Sequence, residues 1–233
     1  MVEIRSVLIG VAVLLTIYLI YTYFFAKSTT KLVDIHNAQS SKMIDASQLA
    51  KGSNNDYMFS IWFYVNDWNY RYGETKTIYQ RMDDHNEPAP TMEFAPGVNN
   101  LHIHVNCFVE GGSKQTKVHT CTVQNVPLQT WTNVIMSIHN RALDVYLDGK
   151  LVRTCILPGN PTSSSKNVAL TPGGGFSGYT SNFEYKGNSI NPREAYNIYK
   201  SGYGGGGIGA FFNKYRLKFA FMEDNKEINS LEI

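Results

Sequence analysis

Three histidines are the first residues here with metal chemistry in reach. His102 and His104 stand two apart in LHIHVNCFV (101–109), so on a strand both project from one face. His119 lies in the next predicted strand, KVHTCTV (117–123). Three imidazoles on one sheet face would make a zinc set, which needs nitrogens converging at about 2.0–2.1 Å. Leu101, Ile103, Val105 and Cys107 form the buried alternation, however, and turn these histidines toward solvent. A second cluster, Asp83-Asp84-His85-Asn86-Glu87, gathers hard oxygen ligands, and Asp83, Asp84 and Glu87 are candidate calcium ligands. No EF-hand spacing is present, so a solvated acidic loop is the plainer reading. Trp68, Tyr70 and Tyr72 in NDWNYRYGE are flat rings suited to stacking on sugars or to filling an interface loop.

Catalytic sets are missing from the pattern. Retaining glycosidases need two carboxylates about 5–5.5 Å apart, visible on a strand as acids at i and i+2 or i+4. Glu93 and Glu184 are isolated instead. There is no Gly-x-Ser-x-Gly elbow, and the run Gly204 to Gly209 lacks the Lys-Ser/Thr of a phosphate loop, so it reads as a hinge. We expect no enzyme, no catalytic residue and no cofactor. Cys107, Cys121 and Cys155 match no zinc or disulfide framework. Buried free thiols are the first expectation, with one disulfide plus a spare thiol as the alternative.

These residues sit on elements of one kind. YMFSIWFYV (57–65), TKTIYQR (75–81), TMEF (91–94), the two histidine strands and WTNVIMSIH (131–139) follow at short intervals. The histidine strands are joined through Glu110-Gly111-Gly112-Ser113. LDVYLDGKLVRTCILPG (143–159) is a hairpin, because Asp148-Gly149 tolerates positive φ at both turn centres. Many short strands without interleaved helices predict an all-β antiparallel sandwich. One helix is well specified: Asn191 caps it, Pro192 opens it, Glu194 completes a capping box and Gly202 stops it. The chain has 233 residues, 13% aromatic, with 19 glycines, which suits a turn-rich β protein. A net charge of +2 with no basic cluster gives no argument for nucleic acid, and none is expected as a partner.

The amino terminus differs in kind. Val7 to Phe25 holds no charge and would span about 28 Å as a helix, the thickness of a bilayer core. It ends in Tyr21, Tyr23, Phe24 and Phe25, an aromatic belt rather than a cleavage site. We therefore expect a single-pass transmembrane anchor over 1–26, whose near-balanced flanking charges leave its orientation open. A polar stalk follows at 27–39, and MIDASQLA enters the sandwich of 40–202 as an edge strand or helical turn. A Gly-rich hinge and tail close the chain at 203–233. In the tail, residues 210–222 read as one long strand with Phe211, Tyr215, Leu217 and Phe219 on an apolar face, a candidate docking strand.

The order SIWFYV, Trp131-Thr132-Asn133-Val134, LDVYLDGKLV and GFSGYTSNFEYKGNSINPREAYNIYKSG resembles a laminin G-like, or concanavalin A-like, jelly roll. That resemblance implies two antiparallel sheets face to face, Trp131 opening a strand, and functions ranging from glycan binding to structural modules. An anchor followed directly by one such domain is also similar to small membrane-anchored virion proteins of large icosahedral DNA viruses. None of the asparagines stands in a glycosylation sequon, which fits that setting better than a glycosylated cell surface. The first functional expectation is a structural minor capsid protein, bound to an internal membrane through residues 7–25 and to capsid or other protein subunits. The alternative is a membrane-displayed lectin, with glycan as partner at Trp68, Tyr70 and Tyr72.

Overall fold

The computed structural model describes residues 10–19, 29–49, 55–109, 115–204, 218–223 and 226–232. Along the chain the first strands are β1 (Thr30–Val33), β2 (His36–Asn37), β3 (Lys42–Ile44) and β4 (Asp56–Asp67). Next come β5 (Lys76–Met82), β6 (Pro88–Phe94), β7 (Leu101–Phe108) and β8 (Thr116–Val123). Then follow β9 (Thr132–His139), β10 (Ala142–Leu147), β11 (Lys150–Ile156), β12 (Val168–Leu170) and β13 (Ser177–Lys186). Residues 10–19 form helix α1, and α2 is Pro192–Lys200. A short hairpin, β14 (Lys218–Glu223) with β15 (Lys226–Glu232), stands as a sheet of its own.

The sandwich follows from period-two burial. In β4, Phe59, Ile61, Phe63 and Val65 face the core, as do Ile103 and Val105 of β7 and Val134, Met136 and Ile138 of β9. The first sheet runs β1-β13-β4-β9-β10-β11, with β2 beside β13; the second runs β3-β12-β5-β6-β7-β8. Every pairing is antiparallel. The outer face of β4 is buried too, because α2 lies across it. Met58, Ile135 and Tyr146 meet Ile190 and Ala195 there in a second small core. The expected cap of α2 is present in full: Asn191 accepts from the Glu194 N–H, and Glu194 reaches back to the Asn191 N–H.

Two expectations need correction, and two more fall partly outside the described residues. The stalk of 27–39 is not a stalk past residue 29: Thr30, Lys31 and Val33 pair with β13, and the Thr29 hydroxyl donates to Glu184 at 2.9 Å. Burial of Val33 in the main core supplies the reason. The three thiols are not all free. Cys121 and Cys155 form a disulfide that joins the edge strands β8 and β11 of opposite sheets, and Cys107 alone stays a buried thiol. Of the tail strand expected over 210–222, residues 218–222 are strand in β14, which pairs with β15 so that Phe219 is opposite Leu231. Phe211, Tyr215 and Leu217 lie outside the described residues, as do the loop 110–113 and most of the Gly-rich run. For the anchor, α1 covers only part of the expected span. Among the described residues no helix is long and apolar enough to cross a membrane; positions 7–9 and 20–25 lie outside them.

Candidate functional site

The histidines do not converge as a metal set. Glu93, His102 and Thr122 are cross-strand neighbours, as are Thr91, His104 and Thr120, all on the outer face of the second sheet. His119 is opposite Val105 and so belongs to the other face, one residue out of step with the expected trio. His104 has its own job. Its Nε2 lies 3.2 Å from Glu93 Oε1 and its Nδ1 lies 2.9 Å from Thr120 Oγ1, and one tautomer satisfies both. His102 is half-buried beside the His104 ring, and burial, reinforced by the neighbouring imidazole, holds its pKa below the ordinary value.

The acidic loop is held together by its own carboxylates. Asp83 Oδ1 accepts from the backbone N–H of His85 at 2.8 Å and of Glu87 at 3.0 Å, while Oδ2 accepts from Asn106 Nδ2 at 2.9 Å. Burial would raise this carboxyl; the Asn106 and backbone donors outweigh it and hold the pKa below its usual value. Asp84 accepts from the Ser165 hydroxyl, and Lys166 donates to Asn86, which ties the loop to residues 164–166. Asp83 and Asp84 therefore serve different partners, and among the described residues no cluster of His, Cys, Asp or Glu suits a metal ion.

The loop aromatics separate in the same way. Trp68 packs edge-on against Phe94 at 5.6 Å, and Lys76 Nζ, itself buried, sits 4.7 Å above its indole. That makes Trp68 a wall of the core, not a free stacking ring. Tyr70 is half-buried near Gly174, and Tyr72 is exposed. These three do not form one surface.

A different set of aromatics does. On the outer face of the first sheet, Tyr179 of β13 is opposite Tyr64 of β4. Tyr64 lies 5.8 Å from Trp131, and Trp131 stacks on Tyr203 at 4.5 Å with planes 8° apart. Tyr203 and Tyr199 both meet Trp62, at 5.8 and 5.5 Å, and Tyr199 continues to Tyr196 of α2 at 6.2 Å. The strip thus crosses β13, β4, the start of β9 and α2. Its seat is built by hydrogen bonds: Ser181 Oγ donates to the Tyr203 carbonyl at 2.5 Å and Asn182 Nδ2 to the Gly202 carbonyl at 2.6 Å. Those bonds lay the segment after α2 flat over Trp131. Tyr179, Tyr196 and Tyr203 remain 47%, 48% and 45% exposed, so the strip is half embedded and half offered to solvent. Only Trp131 was marked in the sequence; Tyr199 and Tyr203 carry no local signal, because the sheet order and α2 bring them over β4.

A family model described as the concanavalin A-like lectin/glucanases superfamily matches residues 37–187. The chain belongs to this superfamily. Solved structures agree on the fold. The receptor binding domain of botulinum neurotoxin D superposes with a TM-score of 0.56 at 9% identity, covering 74% of this chain and 45% of that one. The receptor binding domain of the botulinum neurotoxin C/D mosaic serotype gives 0.55 at 9% identity, with 74% and 43% covered. The serotype D binding domain gives 0.54 at 9%, with 70% and 40% covered. This member of the concanavalin A-like superfamily spans less than half the length of those chains, and at such identity the likeness is one of fold. No curated protein matches. Within the superfamily fold, the strip offers stacking area and phenol hydroxyls.

Proposed function

We propose that this chain is a non-catalytic binding module, presented at a membrane, that docks onto other protein subunits through the aromatic strip on its first sheet. The strip carries the proposal: tyrosine and tryptophan are the side chains enriched where protein surfaces meet, since they bring large rigid area with few torsions to freeze. Absence of catalysis is supported by Glu93 and Glu184 lying on different sheets, with Glu93 engaged by His104. Membrane presentation is supported by the uncharged run 7–25 and by α1, whose side chains are all exposed although mostly apolar. A protein shell around an internal membrane is one such partner, and copurification with a membrane-containing particle tests that narrower proposal. Calcium at Asp83, Asp84 and Glu87 has little support, because Asp83 and Asp84 are already engaged.

Glycan binding is the second reading. The lectins named in the superfamily's description favour it, and the exposed ring of Tyr203 is a stacking surface. One experiment addresses both. Partners crosslinked to the membrane-bound protein are compared between the native chain and Trp131→Ala or Tyr203→Ala, with a glycan array run in parallel. Loss of a protein crosslink with melting temperature held supports docking; loss of array binding alone supports the lectin. Unchanged crosslinks and unchanged array binding in both variants remove the strip from function.

A further inference from the structure

Two β elements in this molecule each have an edge without a strand partner among the described strands. The first is the edge strand β11, which pairs with β10 and with nothing else among the described strands. Leu151, Val152 and Ile156 on it are exposed, as are Lys150 and Arg153, and Arg193 of the neighbouring α2 adds charge of the same sign. Apolar residues on an unpaired edge are a template for another strand. A bulge interrupts the β10–β11 ladder between Arg153 and Leu151, which leaves Arg153–Ile156 in regular register. The Cys121–Cys155 disulfide holds that stretch against β8, so the edge is fixed before anything binds.

The second surface is the β14–β15 hairpin. Among the described strands it pairs only with itself, and a lone two-stranded hairpin is marginal in water without a sheet or helix to pack on. By sequence it is acidic: Glu223, Asp224, Glu227 and Glu232 outweigh Lys218 and Lys226. The β11 edge is basic, so the charges are complementary. Strand β15 and strand β11 are both 7 residues long. Among the described strands, β11 pairs with β10 and the hairpin with itself, and not with each other.

We propose that the C-terminal hairpin of one molecule extends the first sheet of a second copy by pairing with its β11 edge. Main-chain hydrogen bonds supply the attachment; the lysine and arginine on the edge select an acidic strand over others. Because edge and hairpin are different surfaces, the contact is head-to-tail and builds rings or open arrays. The inference deepens the reading of the chain as a subunit-docking protein, and names a second copy as one of its partners.

The test is light scattering coupled to size exclusion on the purified full chain in detergent. Self-association rising with concentration is expected, and truncation after Gly204, which keeps Tyr203 in place, abolishes it without lowering the melting temperature. Lys150→Glu with Arg153→Glu weakens it about tenfold, as charge reversal at an interface does. Adding Glu227→Lys with Glu232→Lys to that chain restores it. A monomeric full chain overturns the proposal, whether or not hydrogen exchange then shows the hairpin folded on its own β11. Association that survives the truncation, or ignores both charge reversals, overturns it equally. None of these outcomes touches docking of other subunits through the strip, which the Trp131 and Tyr203 variants decide.

Discussion

At the scale of single residues, Gly149 meets two constraints at once. Asp148 and Gly149 take φ of 48° and 73°, the two left-handed centres that a two-residue hairpin demands. A Cβ on Gly149 would also stand 3.0 Å from Tyr196 Cα and from Tyr199 Cβ, since the turn tucks beneath α2. Gly149→Val therefore costs about 2–3 kcal/mol, combining backbone strain with a clash. Asp144→Ala removes only an exposed bond from the Thr154 hydroxyl and costs about 0.5 kcal/mol. Denaturant melts of both variants check this, and equal losses would remove the turn from the account. The turn was legible in the sequence because its requirement is local. Trp131 on Tyr203 was not, because that stack depends on where α2 ends relative to β9. His102 supplies a pH dependence. Its folded pKa lies below 6.5 through burial, then through His104, with Glu93 opposing. The unfolded chain thus takes the proton more readily, so stability is complete above that value and falls as pH drops through it. Urea melts from roughly pH 8 to pH 5 should show a shallower acid loss in His102→Gln than in the native chain.

Among elements, the disulfide matters most and was hardest to foresee. Cys121 and Cys155 sit on strands that never pair; they meet because β8 and β11 are the last strands of two sheets stacked face to face. Nothing in their spacing encodes that. Closing a loop with sequence separation 34 restricts the unfolded chain enough to stabilise the fold by about 3–4 kcal/mol. Cys121→Ser with Cys155→Ser is expected to lose that amount, and reductant is expected to do nothing further to the double variant. An unchanged melt would mean the clasp is incidental. Contrast α2, where Asn191, Pro192 and Glu194 act within a single turn and were readable in advance. The tail was legible in part, as strand over 218–222. Its alternation over 210–222 gave a period but no stopping point, while the return strand β15 carries few apolar residues to announce it.

For the whole molecule, the sandwich was evident from strand count and alternation, yet its lower boundary was not, and the difference is testable. Strand β1 looked like polar stalk because only Leu32 and Val33 interrupt its polar residues. Its place is set by β13, which lies near the other end of the fold and completes the sheet between β1 and β4. Removing residues 1–26 should leave a soluble, β-rich domain with its melting temperature intact, because α1 presents its side chains outward and contributes nothing to the core. Removing residues 1–33 should not. That deletion strips β13 of its outer partner, takes the Thr29 hydroxyl from Glu184, and withdraws buried Val33, a side chain whose burial alone is worth about 1.5–3 kcal/mol. The two deletions differ by seven residues (27–33), so circular dichroism melts measured side by side isolate β1. A large loss already at the shorter deletion would show that the amino-terminal helix belongs to the fold; equal, undiminished stability in both would return β1 to the stalk.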